Sequence, residues 1–122
     1  MGRQVITGIL ALLLAGCVPT APRAVSRTIT YRVTGTAVQA DISYANETNG
    51  MDHVKGHPNP NGQVAWQKDV TLASGSFAYV TAQSDTSGNT MIVAEISYGG
   101  QIVQHSESNG EYCVATASVR ID

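Results

Sequence analysis

Apolar side chains occupy every second position through most of the chain beyond residue 27, and this alternation constrains the fold more than any other feature of the sequence. The first two runs are Ile29, Tyr31 and Val33, followed by Val38, Ala40, Ile42 and Tyr44. A period of two places alternate side chains on opposite faces of a β-strand, so both runs predict half-buried strands, joined at Thr34-Gly35-Thr36. Beyond residue 17 no segment has a convincing helical period.

Five further strands are predicted from the same pattern and from the turn residues between them. The third strand has Val64, Trp66, Val70 and Leu72 on its apolar face, where Lys68 interrupts them. The next four strands are Phe77 to Gln83, Met91 to Tyr98, Gln101 to His105, and Tyr112 to about Ile121. Because paired glycines accept the positive φ angles of tight hairpins, Gly99-Gly100 predicts a hairpin turn, and Asn109-Gly110 predicts another turn.

Short strands separated by turn residues predict an all-β protein, specifically an immunoglobulin-like antiparallel β-sandwich of about seven strands, with a small barrel as the alternative. Trp66, Tyr31 and Tyr44 are in phase with aliphatic neighbours, so we expect them in the core rather than on a ligand-binding face. Cys113 is in phase with Ala115 on the last strand, which predicts a buried thiol.

The regular spacing of the strands is broken once, by the polar segment from Ala45 to Gly62. This segment is rich in Asn, Gly, Pro and His and shows no alternation, so we expect an irregular loop. Long irregular loops in compact domains are commonly functional or disordered. We therefore expect the loop to contact a partner, through His53, Lys55, His57 and Asn59.

The same loop contains the only cluster with metal-ligand chemistry, the two histidines preceded by Asp52. Imidazoles four residues apart share a face on a helix, and that geometry gives the spacing its usual meaning. Gly56 and Pro58 argue against a helix here. No metal site is predicted.

The first seventeen residues resemble a bacterial lipoprotein export signal. Arg3 precedes an apolar run from Val5 to Leu14, and small residues lead to Cys17. The run is too short for a transmembrane helix, which needs about 20 apolar residues. We expect cleavage after residue 16, lipid attachment at Cys17, a tether over residues 17–26 and a sandwich domain over residues 27–122, on the outer side of a bacterial membrane.

Composition and charge exclude several functions. Seven Lys and Arg against nine Asp and Glu, without a basic cluster, disfavour nucleic-acid binding. With two cysteines in the chain and one of them lipidated, Cys113 has no intramolecular disulfide partner. No glycine-flanked nucleophile follows a strand and no paired base is evident, so we expect a non-enzymatic protein without a cofactor.

Two segments near the start of the domain, Tyr31 to Ala37 and Ala40 to Asn46, resemble the extracytoplasmic domain of the mycobacterial small membrane protein (MmpS) family. Further matches follow in the family's order: Trp66 with Lys68, Val70-Thr71, Ala78 to Gln83, Ile96 to Val103, and Gly110 to Tyr112 with Ala115 and Ala117. The resemblance covers roughly Thr30 to Ala117 and implies a β-sandwich. Family members have a membrane helix in place of the lipoprotein signal, and Asp52 to Gly62 resembles an insertion.

Members of that family are accessory subunits of RND-type transporters of the large membrane protein (MmpL) group. The resemblance therefore implies a lipid-anchored accessory or binding module, whose partners are the membrane, through the anchor, and a transporter or other envelope protein. The alternative is a surface-exposed ligand-binding or host-interaction lipoprotein, of the kind that phages and prophages also encode. The family has no catalytic motif to transfer.

Overall fold

A computed structural model describes residues 25–122, and every regular element in this range is a β-strand. The eight strands are β1 (Ser26–Gly35), β2 (Ala40–Ala45), β3 (Met51–Gly56), β4 (Ala65–Ala73), β5 (Phe77–Ser84), β6 (Thr90–Tyr98), β7 (Gln101–Gly110) and β8 (Val114–Arg120). The predicted signal, Cys17 and most of the predicted tether lie outside the described residues.

The strands form two four-stranded antiparallel sheets, which confirms the predicted all-β sandwich. The strand order is β4-β1-β6-β7 in the first sheet and β3-β2-β5-β8 in the second. The strands number eight rather than about seven. Consecutive strands β1 and β2 lie in opposite sheets, whereas the first two strands of an immunoglobulin constant domain share a sheet, so the resemblance to that fold is one of general shape.

The core lies between the sheets and consists of the alternating residues. Fully buried side chains from both sheets include Ile29, Tyr31, Val33, Ile42, Val80, Ile92 and Ile96. Tyr44 and Cys113 are also buried, as predicted, and Trp66 is partly buried against the core. Val38 is an exception with 54% exposure, because it belongs to the connection that carries the chain from one sheet to the other.

The predicted loop from Ala45 to Gly62 was wrong in its central part, where Met51–Gly56 forms strand β3. Each residue from Met51 to Gly56 pairs with β2. This strand has one neighbour and is largely exposed, so it needs few apolar residues, and only Val54 and Gly56 in it are shielded from solvent. Gly56 has no room for a larger residue, because an added Cβ would lie 2.9 Å from Ile42 Cδ1 and Val64 Cγ2.

Two predicted turns had different outcomes. Gly99 and Gly100 form the β6–β7 hairpin turn with φ angles of 63° and 78°, as predicted. The turn predicted at Asn109-Gly110 was wrong, because both residues continue the pairing of β7 with β6. The chain instead turns at Glu111 and Tyr112, where Tyr112 has a φ of 50°.

The two ends of the sandwich are distinct. At one end, which we call the base, the chain enters at Val25, whose carbonyl oxygen accepts a hydrogen bond from Ser74 N–H. The end of β8 and the β6–β7 turn lie at the same end, since Gly75 N–H bonds Ile121 O and Arg27 lies over the Tyr98 ring. The opposite end, the tip, consists of the connections at residues 36–39, 57–64, 85–89 and 111–113.

Candidate functional site: an open seam between two edge strands

Strands β3 and β4 are the outermost strands of opposite sheets, and they meet only at the tip. There the N–H of Ala65 donates to His57 O, Pro58 pairs with Val64, and Asn59 N–H donates to Gln63 O. Beyond this junction β3 pairs with β2 and β4 pairs with β1. The two strands therefore diverge, and we call the opening between Met51–Gly56 and Ala65–Ala73 the seam.

The base end of the seam is closed by one side chain from the β2–β3 connection. Glu47 accepts a hydrogen bond from the Thr71 N–H at 3.1 Å. The connection is held in shape by Asn46, whose Oδ1 accepts hydrogen bonds from the N–H groups of Thr48 and Gly50. Such side-chain bonding to nearby backbone groups stabilises a tight turn. Glu47 is thus presented to β4 by an ordered turn.

The opposite side of the sandwich is closed. There the edge strands β7 and β8 approach each other, and the N–H of Thr116 donates to Ser106 Oγ at 3.3 Å. In the described part of the chain, the seam is therefore the side on which the two sheets separate.

Backbone groups along the seam lack partners in the described structure. The N–H groups of Ala65 and Thr71 point away from β1, because one bonds His57 and the other Glu47. Peptide groups alternate in direction along an antiparallel strand, so the N–H and C=O of Gln67 and Asp69 point the same way. No hydrogen bond within residues 25–122 uses these outward groups. The seam is flanked by an unpaired strand edge.

The floor of the seam is aromatic. The ring centroids of Tyr44 and Trp66 are 5.3 Å apart, and Tyr31 lies beneath them at 5.5 Å from Tyr44. Tilted rings at such distances have favourable edge and face contacts. Trp66 is partly exposed, and it therefore presents an aromatic surface with rigid support from below.

A cleft of about 340 Å³ lies at the base half of the seam. Its charged lining residues are one cation, Lys68, and three carboxylates, Glu47, Asp52 and Asp69. Asp52 on β3 and Lys68 on β4 are on the inward-facing sides of their strands, since they pair with Tyr44 and Tyr31 respectively. Among the described residues, no carboxylate oxygen lies within 4.0 Å of Lys68. Burial, and then the Asp52 carboxylate, raise the pKa of Tyr44 above its ordinary value.

Of the four residues predicted to contact a partner, two lie on β3, His53 and Lys55, and two follow it at the junction, but none of their side chains lines the cleft. His53 faces the outer surface of its sheet and its Nδ1 lies 2.6 Å from Ser43 Oγ. Lys55 forms ion pairs with Asp41 and Asp85 on the same surface, and both carboxylates raise its pKa.

His57 and Asn59 belong to the junction at the tip rather than to an irregular loop. His57 supplies its carbonyl oxygen to Ala65, and Asn59 Oδ1 accepts hydrogen bonds from the N–H groups of Asn61 and Gln63. His57 and Asn59 therefore stabilise the junction, His57 through its backbone carbonyl and Asn59 through its side-chain oxygen. Within residues 25–122, no group of three His, Cys, Asp or Glu side chains is arranged to hold a metal ion.

Sequence reasoning missed Asp52 and Lys68 as residues of one cleft. Lys68 left a signal, because it is in phase with Trp66 and Val70 and so is a charge on the core-facing side of a strand. Inward-pointing charged residues are typical of edge strands. Its juxtaposition with Asp52 depends on the placement of β3, which the sequence pattern did not reveal.

Comparisons with known families and with curated proteins give no match. The described residues contain no helix that is long and apolar enough to cross a lipid bilayer.

Proposed function

We propose that this chain is a non-enzymatic, lipid-anchored protein of the bacterial envelope whose sandwich domain binds an extended segment of a partner protein in the seam. The observation that carries the proposal is the unpaired backbone edge of β4 at Gln67 and Asp69, beside the ring of Trp66. An extended peptide supplies complementary N–H and C=O groups to such an edge, and its side chains enter neighbouring pockets.

The chemistry of the cleft supports a peptide partner. The cleft offers the Lys68 ammonium group and three carboxylates, those of Glu47, Asp52 and Asp69, so it suits a segment that carries basic, polar and apolar side chains. Tyr44 and Val70 in the cleft lining supply apolar contact. Binding energy in protein interfaces concentrates in aromatic anchors, and the Trp66 ring is the partly exposed aromatic group here.

The partner that we propose is a membrane protein of the same envelope, in particular a transporter of the RND type. Support for this comes from the sequence resemblance described above and from the lipoprotein-like signal, which would keep the domain beside the membrane. A host-interaction or phage-related role is the alternative, and identification of the captured partner distinguishes the two.

Photocrosslinking in living cells tests the binding site. A photoreactive phenylalanine is placed at Thr48, which is exposed and lines the cleft, and in a matched control at Thr116, which is exposed on the far edge strand β8. We expect a covalent partner product from position 48 and none from position 116. An adduct with a transporter subunit supports the accessory role. Equal labelling from both positions, or none from either, would overturn the seam as the contact.

A proline substitution tests whether backbone pairing is involved. Gln67→Pro removes an N–H that β1 does not use, so the edge strand should tolerate it. Gln67→Ala is the matched control and keeps the N–H. We expect Gln67→Pro to abolish the crosslink from position 48 while Gln67→Ala retains it. If both variants crosslink as well as the parent, strand pairing is not the mode of binding.

A further inference from the structure

Large hydrophobic side chains are exposed at the base of the sandwich, where the chain enters the domain. They are Val25, Met51, Phe77 and Ile102, and they make up four of the seven large hydrophobic side chains that are exposed among residues 25–122. Phe77 is the most exposed of the seven, at 63%. Exposed apolar side chains that gather at one end of a domain are a feature of protein or membrane interaction sites.

Contacts among neighbouring residues place these side chains at one end. Val25 bonds Ser74 in the turn that leads to Phe77. Met51 is the first residue of β3 and pairs with Ala45, where β2 ends at the base. Ile102 pairs with Ser97 at the β6–β7 hairpin.

The charged groups of the base are of both signs. Phe77 is directly opposite Arg120 on the outer face of its sheet. Arg27 donates from Nε to the carbonyl oxygen of Asp122, and its guanidinium lies 6.0 Å from the centre of the Tyr98 ring. Glu47 is engaged by Thr71. Arginine beside aromatic and aliphatic side chains is typical of surfaces at the boundary between lipid headgroups and acyl chains.

The position of chain entry identifies what covers this surface. From Cys17 to Val25 the chain has eight residue steps, which span at most about 28 Å when fully extended. An acyl anchor at Cys17 therefore keeps the base within that distance of the bilayer, and Val25 enters the domain at the base itself. The tip lies at the opposite end and has no such constraint.

We infer that the base of the domain rests on the membrane, with Phe77 and Ile102 inserted at the level of the lipid headgroups. This inference depends on the proposed lipid anchor but not on the seam. It gives the domain one orientation, in which the strands rise from the bilayer, the seam opens to the side and the tip points away. A partner that lies in the same membrane then meets the seam laterally.

Fluorescence quenching by brominated lipids tests the inference on the full-length lipidated protein. The protein is purified from bacterial membranes and reconstituted into phosphatidylglycerol and phosphatidylethanolamine vesicles, with and without bromine on the acyl chains near the headgroup. Phe77→Trp places a reporter at the base, and Val114→Trp places a matched reporter at a comparably exposed position near the tip. The quenching of native Trp66 in the parent protein is subtracted from both.

We expect the added tryptophan at position 77 to be quenched at least twofold more than the one at position 114. Vesicle flotation of the parent protein is measured in the same samples and reports on the anchor alone. A parent that floats while position 77 is quenched no more than position 114 refutes the membrane contact and leaves the anchor intact. A parent that fails to float refutes the anchor, and with it this orientation.

Discussion

The hydroxyl of Tyr31 lies 2.9 Å from the carbonyl oxygen of Ala45, and the hydrogen bond that it donates joins the two sheets across the core. The Tyr31 hydroxyl oxygen also accepts a hydrogen bond from the Tyr79 N–H at 3.2 Å. One buried phenol on β1 thus holds two strands of the opposite sheet at the base end of the seam. It also supports Tyr44, which packs on its ring.

Removal of this hydroxyl should be costly. Tyr31→Phe leaves a partly buried carbonyl and a partly buried N–H without this partner. Loss of the partner of a buried polar group costs about 1 to 3 kcal/mol. We expect the free energy of unfolding, measured by denaturant titration, to fall by about that amount. Tyr112→Phe is the control, because Tyr112 is half exposed at the tip. A Tyr31→Phe protein as stable as the control would show that the phenol does not hold the sheets together.

Stability should also fall at alkaline pH through the same residue. Burial is the main cause that raises the pKa of Tyr31 above its ordinary value of 10.0. The unfolded chain then loses this proton at lower pH than the folded chain, so the stabilisation is complete below about pH 10 and is lost as pH rises through the folded value. Denaturant titrations at about pH 8 and about pH 11 should show a larger loss for wild type than for Tyr31→Phe. Lys55 contributes in the same direction, since its pKa is also raised, and it is present in both proteins.

Glycine at position 35 should be irreplaceable. Gly35 ends β1 with a φ of 154°, and an added Cβ would overlap the carbonyl oxygen of Met91 on the neighbouring strand. We expect Gly35→Ala to cost about 2 kcal/mol or more, because backbone must move to relieve the overlap. Gly50→Ala is the control, where an added Cβ meets only the Asn46 side chain, at 3.4 Å. Thermal unfolding followed by circular dichroism measures both, and equal melting temperatures would contradict the overlap.

Lys68 should lower the free energy of unfolding and favour binding of the partner. Its side chain projects along the inward face of β4, in phase with Trp66 and Val70, where an apolar residue would extend the core. We expect Lys68→Met to raise the free energy of unfolding by about 0.5 to 1 kcal/mol. Capture of the partner by a crosslinker placed at Gln67 should decrease in the same variant. If Lys68→Met is more stable and captures the partner as well as wild type, the charge serves only to protect an edge strand from aggregation.

Replacement of Asp52 to Gly62 by a short Gly-Ser turn tests whether that segment acts as an irregular loop or as the paired strand β3. An irregular loop would change the free energy of unfolding by about a kcal/mol or less. The structure predicts a larger loss, of more than about 2 kcal/mol, because the replacement removes most of β3 and uncovers Ile42. A denaturant titration that shows a loss below about 1 kcal/mol would show that β3 contributes little.

Lipid attachment at Cys17 is tested by metabolic labelling. We expect a fatty-acid analogue to label the wild-type protein and to be absent from Cys17→Ala, because Cys17 follows the apolar run and the small residues of the signal. Cys113→Ala is the control for labelling of the second, buried cysteine. Labelling of Cys17→Ala at the wild-type level would refute the anchor.

Much of the fold was determined by the sequence alone. Alternation over Ile29 to Val33 predicted a half-buried strand because burial of one face requires a period of two, and the structure buries those side chains completely. The paired glycines at 99 and 100 predicted a hairpin turn because few other residues accept two successive positive φ angles. These features are determined by residues close together in the sequence, so they can be predicted without the tertiary structure.

The candidate site was decided by the tertiary structure. Strand β3 carries little alternation because an edge strand buries little, and its presence is fixed by hydrogen bonds to β2. The seam arises because β3 and β4 join at His57 and Ala65 and then enter different sheets, a choice made by pairing over long sequence distances. The local sequence pattern indicates which face of a strand is buried, but it does not indicate which strand pairs with it. The open edge at Gln67 and Asp69 depends on that pairing.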